Sequence, residues 1–161
     1  MKTKTTITEI THDDIVNLLS TGLYGSQFLG VDYSVGDYRK IPNPDEYDCI
    51  EDKCAKLLLN GKSIVIYDMY AEDEEDFHGK LYHSWDSDNK TMDYTITLSD
   101  IKKGLQKCLD GTFKVNDGCD EEISYMRKCV ANLIDSENGD LDLYEAQNIL
   151  QVIVFGQIIY G

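Results

Sequence analysis

Positive charge is what this chain has least of. Its 161 residues carry 15 Lys and Arg against 30 Asp and Glu, a formal net charge of −15. Nucleic-acid affinity comes largely from Lys and Arg displacing counterions, so this balance points away from direct DNA or RNA binding and from anionic membranes. Long apolar runs are missing too. The longest apolar-rich stretch, Ile149 to Tyr160, is broken by Gln151, Gly156 and Gln157 and is too short and polar to cross a bilayer. Lys2 and Lys4 have no apolar stretch behind them, so the start does not read as a secretory signal. The five cysteines, Cys49, Cys54, Cys108, Cys119 and Cys129, are odd in number and scattered, which argues against a disulfide framework and for a reducing compartment. No internal repeat and no Pro- or Gly-rich linker divides the chain. The expectation is one cytoplasmic domain over residues 1–161, with residues 1–9 as a flexible lead.

Familiar catalytic signatures are lacking. There is no phosphate-binding P-loop, dinucleotide fingerprint or GxSxG elbow. His12-Asp13 looks like the paired ligands of metal phosphohydrolases, but it falls at a helix start without partner histidines and reads as a capping turn. Asp135 to Asp142 has the composition of a calcium loop, but its register fails: Gly139 is fifth from Asp135 where a glycine is needed sixth, and Glu145 is eleventh where a bidentate Glu is needed twelfth. Cys49 with Cys54 and His78 with His83 could be counted as zinc ligands, yet no CxxC pair exists and Cys54 falls on an apolar helix face. Asn89-Lys90-Thr91 reads as a turn. No catalytic residue, cofactor or metal ligand is assigned from the sequence.

What is present reads as α+β, with a small antiparallel sheet of about three strands packed with four to five helices. Thr11 and Asp14 form a capping box ahead of Ile15, Val16, Leu18, Leu19 and Leu23, a helix ending near Gly25. A second helix is expected to open at Pro44-Asp45 and run through Cys54, Leu57 and Leu58 to Gly61. Ser63–Met69, Lys80–Trp85 and Thr91–Leu98 are rich in β-branched and aromatic residues and read as strands, the last two joined by a turn at Ser87-Asp88-Asn89. Ser99 is expected to cap a helix stopped by Gly111, and Asp120 or Glu121 to open another through Met126 and Val130. A last helix is expected from Asp142 to about Tyr160, with apolar positions that could pack internally or against a second copy in a homodimer.

The acids are unevenly spread. Residues 41–98 hold 14 acids and 5 bases, and residues 135–161 hold 5 acids and no base, whereas residues 99–134 are balanced at 6 of each. Asp45, Glu46, Asp48, Glu51 and Asp52 crowd the second helix, and Glu72, Asp73, Glu74, Glu75 and Asp76 stand in a row between two strands. Eleven Tyr against four Phe and one Trp is a skewed aromatic set, and Tyr47 and Tyr70 lie within these acidic stretches, near Tyr33, Tyr38, Tyr67 and Tyr82. Tyrosine brings stiff contact area with a polar tip, which suits interfaces.

Three stretches, ITHDDIVNLLSTGLYGS at residues 10–26, CIEDKCAKLLLNGKSIVIYD at 49–68 and AQNILQVIVFGQIIYG at 146–161, cover about a third of the chain. They resemble small acidic proteins encoded on phages and integrated mobile elements of gut Firmicutes and their relatives. The resemblance implies the company of compact host-defence inhibitors, including anti-CRISPR and anti-restriction proteins, and assigns no catalytic residue. The expected function is an acidic binding protein that blocks a basic nucleic-acid-binding effector, such as a CRISPR effector or a restriction enzyme, by standing in for phosphates. Asp45, Glu46, Asp48, Glu51, Asp52 and Glu72 to Asp76 would supply charge, with Tyr47 and Tyr70 supplying burial. Two alternatives stay open: a nucleotide-binding protein using Arg39, Lys40, Lys102, Lys103 and Lys107, and a metal-dependent hydrolase using Asp68, His83 and Asp86.

Overall fold

Helix α1 (His12–Tyr24) starts where its capping box predicts: the Thr11 amide donates to Asp14 Oδ2 at 3.0 Å, and the Asp14 amide donates to Thr11 Oγ1 at 3.1 Å. This is a computed structural model, and it describes residues 7, 9–24, 28–40, 49–115, 123–128, 130 and 143–160. After α1 come strand β1 (Leu29–Val31), the short helix α2 (Gly36–Lys40), helix α3 (Ile50–Leu59) and strand β2 (Ile64–Asp68). The hairpin of β3 (His83–Asp86) and β4 (Thr91–Ile96) follows, then α4 (Leu98–Asp110) and β5 (Lys114–Val115). Residues 123–128 form α5, and α6 (Leu143–Phe155) leads into β6 (Gln157–Ile158). The described residues thus build an α+β domain with six helices, a four-stranded antiparallel sheet ordered β1-β2-β4-β3, and a parallel β5-β6 pair. None of the described helices is long and apolar enough to cross a membrane.

Several elements depart from the sequence expectation. The sheet has a fourth strand, β1, which is three residues long and owes its existence to pairing with β2 rather than to its own pattern. Helix α3 starts at Ile50, not at Pro44-Asp45, because Cys49 is extended and its Sγ accepts from the Asp52 amide at 3.4 Å. Residues 41–48 lie outside the described part, and so do the calcium-like loop and the expected start of α5. Helix α4 is capped by Thr97, two residues before Ser99, because Asp100 closes the reciprocal box with Thr97; Gly111 then ends the helix in the left-handed conformation, as expected. The last helix stops at Phe155. Gly156, at φ +74°, turns the chain out of the helix, and residues Gln157 and Ile158 pair with β5. Within the expected flexible lead, the Ile7 amide donates to Gln106 Oε1 at 2.8 Å and its side chain packs on the core.

The core is organised around α6, in which every residue from Asn148 to Phe155 is buried. Helices α1 and α4 pack against it, and Tyr94 from the sheet meets Phe155 edge-on with ring centroids 5.4 Å apart. This disposes of α6's apolar residues within one copy of the chain. Two glycines permit the approach. A Cβ at Gly22 in α1 would sit 3.2 Å from the Ala146 carbonyl oxygen, and one at Gly104 in α4 would sit 2.6 Å from Ile153 Cα. Buried Gln151 is satisfied: it accepts from the Ile159 and Tyr160 amides at 2.9 and 2.8 Å and donates to the Tyr160 carbonyl at 2.8 Å. Tyr160, held this way, donates its hydroxyl to Asp68 Oδ2 at 2.8 Å, so the chain's final segment is tied to the middle of the sheet. Asp68 is fully buried and burial pushes its carboxyl up, although the Tyr70 amide and the Tyr160 hydroxyl both donate to it.

Two substitutions test this arrangement. Gly104→Ala should destabilise the chain by about 1–3 kcal/mol in urea unfolding, against the ~1 kcal/mol that alanine gains in an open helix, because the neighbour it meets is backbone. A stability gain would show that α4 and α6 can move apart freely. Tyr160→Phe should cost about 1–2 kcal/mol, the usual effect of depriving a buried acceptor of its donor.

Candidate functional site

Strand alternation gives the four-stranded sheet two unlike faces. Leu29, Val31, Ile64, Ile66, Met92, Tyr94 and Ile96 are buried on the core side. The register places Gly30 opposite Tyr67, Tyr67 opposite Asp93, Asp93 opposite Ser84 and Thr91 opposite Asp86, all on the other side. The Tyr67 ring lies directly over Gly30, where a Cβ would meet its hydroxyl oxygen and push the ring aside. Helix α2 is tied beside this face by Asp37, whose Oδ2 accepts from the Ser63 amide at 2.9 Å and the Ser63 hydroxyl at 3.1 Å. Those bonds hold the Asp37 carboxyl below its ordinary range.

Three carboxylates meet on this face. One oxygen each from Asp32, Asp86 and Asp93 lies within 4.8 Å of the others. They come from the end of β1, the end of β3 and the middle of β4, and each has a local partner. Asp32 Oδ1 accepts from the Ser34 amide and hydroxyl at 2.9 and 2.6 Å, and Asp93 Oδ1 accepts from the Thr91 hydroxyl at 2.8 Å. Asp86 closes the β3–β4 turn by accepting from Asp88 and Asn89, and the Asn89 bonds hold its carboxyl low. Asp93 behaves oppositely: burial and the neighbouring Asp32 push it up to about 6. Oxygens this close can share a proton or one cation. Beside them lies a cavity of about 410 Å³, lined among others by Asp32, Tyr33, Tyr67, Met69 and Asn89.

The second acidic feature is the loop between β2 and β3. Glu72, Asp73, Glu74 and Glu75 are exposed. Asp76 shapes the loop from within: its Oδ2 accepts from the Glu72 amide at 2.9 Å and its Oδ1 lies 3.3 Å from His78 Nε2. Large apolar side chains stay in solvent on both sides of the acids, Met69 at 43%, Tyr70 at 48%, Phe77 at 45% and Tyr82 at 74% exposure. Tyr70 meets Tyr160 edge-on at 5.4 Å, and Phe77 stacks on His83 at 3.9 Å, so both rings are held in place from the core side.

The structure redistributes the residues singled out by sequence. Asp52 is not a free surface charge: it is buried, with Oδ1 2.7 Å from His12 Nε2 and Oδ2 3.1 Å from Lys56 Nζ. It joins α3 to the start of α1, which also accounts for His12. Glu51 is half-buried on the first turn of α3. Asp45, Glu46, Tyr47 and Asp48 lie outside the described residues. The hydrolase constellation does not form, because Asp68 belongs to the core face and Asp86 to the opposite one, while His83 is stacked on Phe77. Among the described residues, the cysteine and histidine pairs weighed for zinc build no cluster; Cys54 is buried and burial pushes its thiol up to about 12. Tyr38 lies under the Lys53 ammonium, 3.8 Å from its ring centroid. The meeting of Asp32, Asp86 and Asp93 had no sequence signal, since the pairing register alone joins them. No family model, curated protein or solved structure matches the chain.

Asp93 makes a pH prediction. The folded chain holds its proton up to about pH 6, whereas an unfolded Asp releases it near ~4. Folded molecules therefore bind more protons in that window, and this group's contribution to stability falls as pH rises through it. Asp93→Asn should match the parent near pH 4 and exceed it at pH 7.5 by on the order of 1 kcal/mol, discounted for partial exposure. Thermal melts of both chains from pH 4 to 8 read the difference; a difference independent of pH would refute the assignment.

Proposed function

We propose that the chain is an acidic binding protein that occupies the nucleic-acid-binding surface of a basic host-defence effector, of the anti-CRISPR or anti-restriction kind, in the cytoplasm of a bacterial host. The observation that carries this reading is the β2–β3 loop, where four exposed carboxylates stand between exposed aromatic and apolar side chains. Single exposed apolar side chains are ordinary, but Met69, Tyr70, Phe77 and Tyr82 flank one run of acids and give the loop the mixed character of an interface. At an interface the two contributions are complementary. Carboxylates speed encounter with a basic groove and are weakened by salt, while rigid rings supply the desolvated contact that holds the complex. The net charge of −15 extends the attraction beyond the contact itself. Asp45, Glu46, Tyr47 and Asp48 add to the same reading from sequence, and Asp52, buried against His12 and Lys56, drops out of it.

The test is capture from nuclease-treated bacterial lysate on the immobilised chain, over a salt series, with mass spectrometry. A basic nuclease or helicase should be retained at low salt and released by roughly 0.5 M NaCl. The Glu72→Lys, Glu74→Lys, Glu75→Lys triple variant should slow association with that protein about tenfold or more. Tyr82→Ala should chiefly speed its dissociation. Both variants alter exposed residues and should melt like the parent. Retention that ignores salt and both variants, or no retention from a lysate rich in defence systems, would remove the reading.

A further inference from the structure

Three lysines from two separate elements line one cavity. A cavity of about 440 Å³ opens where the β2–β3 loop, α4 and the end of α6 meet, and Lys80, Lys103 and Lys107 all line it. These are three of the chain's 15 basic residues. Among the described residues none of the three has an ion-pair partner, whereas Lys56 and Lys40 do. The wall is apolar: Leu81 and the last turn of α6, from Val152 to Phe155, face it. Among the described residues the one carboxylate lining the cavity, Asp100, is already engaged at Oδ2 by the Thr97 amide and hydroxyl at 2.9 and 3.0 Å.

One lysine has a structural explanation. A Cβ at Gly156 would sit 3.3 Å from Lys107 Nζ, which places that ammonium at the C-terminal end of α6, where the helix dipole favours a cation. Among the described residues Lys80 and Lys103 have no such role, and gathering like charges in one groove is unfavourable unless an anion joins them. The loop backbone closes one side of the groove. A Cβ at Gly79, at φ +81°, would lie 2.7 Å from the Phe155 carbonyl oxygen, so the loop backbone rests directly on the end of α6. An apolar wall with a few convergent charges is the composition of a small-molecule site.

We propose that this cavity binds a small organic anion, with a phosphate or carboxylate held by Lys80, Lys103 and Lys107 and an apolar or planar body laid against Leu81 and the last turn of α6. The site differs from the basic set expected from sequence: Lys103 and Lys107 remain, Lys80 joins them, and Arg39, Lys40 and Lys102 are not among its lining residues. It does not depend on the partner reading of the acidic loop.

The test uses the full chain with three probes at millimolar concentration: AMP, octanoate and inorganic phosphate, followed by thermal melts and calorimetry. AMP or octanoate should raise Tm by about 3–6 °C at ten times its Kd, and phosphate should do distinctly less. AMP acting alone identifies a nucleotide-type ligand, and octanoate acting alone identifies an acyl carboxylate; either supports the site. The Lys80→Glu, Lys103→Glu variant, changed only at exposed positions, should fold normally by circular dichroism and lose at least tenfold in affinity. Lys103→Gln should lose less than the reversal. No stabilisation by either organic anion, a phosphate effect equal to theirs, or affinity unchanged in the double variant overturns the proposal.

Discussion

The close contact of α1 and α4 with the apolar helix α6 is the constraint on which the remaining structure rests. From Asn148 to Phe155 the helix has no exposed residue, so its neighbours must surround it completely. Two helices reach it where glycine removes the side chain, at Gly22 and Gly104, and the sheet reaches it through Tyr94. Burying a helix on all sides is favourable in apolar area, but any polar group inside needs a partner. Gln151 meets that demand by bonding the backbone of Ile159 and Tyr160, which draws the chain's last residues back along the helix. Tyr160 then reaches Asp68, and the packing of one helix becomes the anchor of the sheet's central strand.

Both candidate sites are consequences of that frame. The sheet covers α6 with one face, which leaves the other free for polar residues, and there Asp32, Asp86 and Asp93 assemble. The end of α6 must be closed after Gly156, and the β2–β3 loop closes it at Gly79, bringing Lys80 to the lysines of α4. The same loop carries Glu72 to Glu75 outward between exposed rings. Among the described residues, carboxylates thus gather at the loop and on one sheet face, and three lysines line a groove beside α6.

Much of the fold was legible because the signals were local. The α1 capping box, the Gly111 stop, the three strands around the β3–β4 turn and the apolar repeat of α6 all involve residues within a few positions of each other. What escaped was either short or set by a partner. Strand β1 and the β5–β6 pair have two or three residues each and exist through their neighbours' hydrogen bonds. Helix α3 read as longer because acids and proline resemble a first turn, whereas the Cys49 thiol, an uncommon cap, is what starts it.

The amino-acid order by itself determined the charge excess, the elements with strong periodicity and the loop where acids crowd together. It also determined that no familiar catalytic motif is present. Only the tertiary structure decided which of those groups are available. It withdrew Asp52 into contact with His12 and Lys56, separated Asp68 from Asp86 across the sheet, and gathered Asp32 with Asp93 and Lys80 with Lys103. The reason is that periodicity and capping are set by contacts a few residues apart. The convergence of side chains far apart in sequence follows from antiparallel register and helix packing, which exist only after the chain has folded.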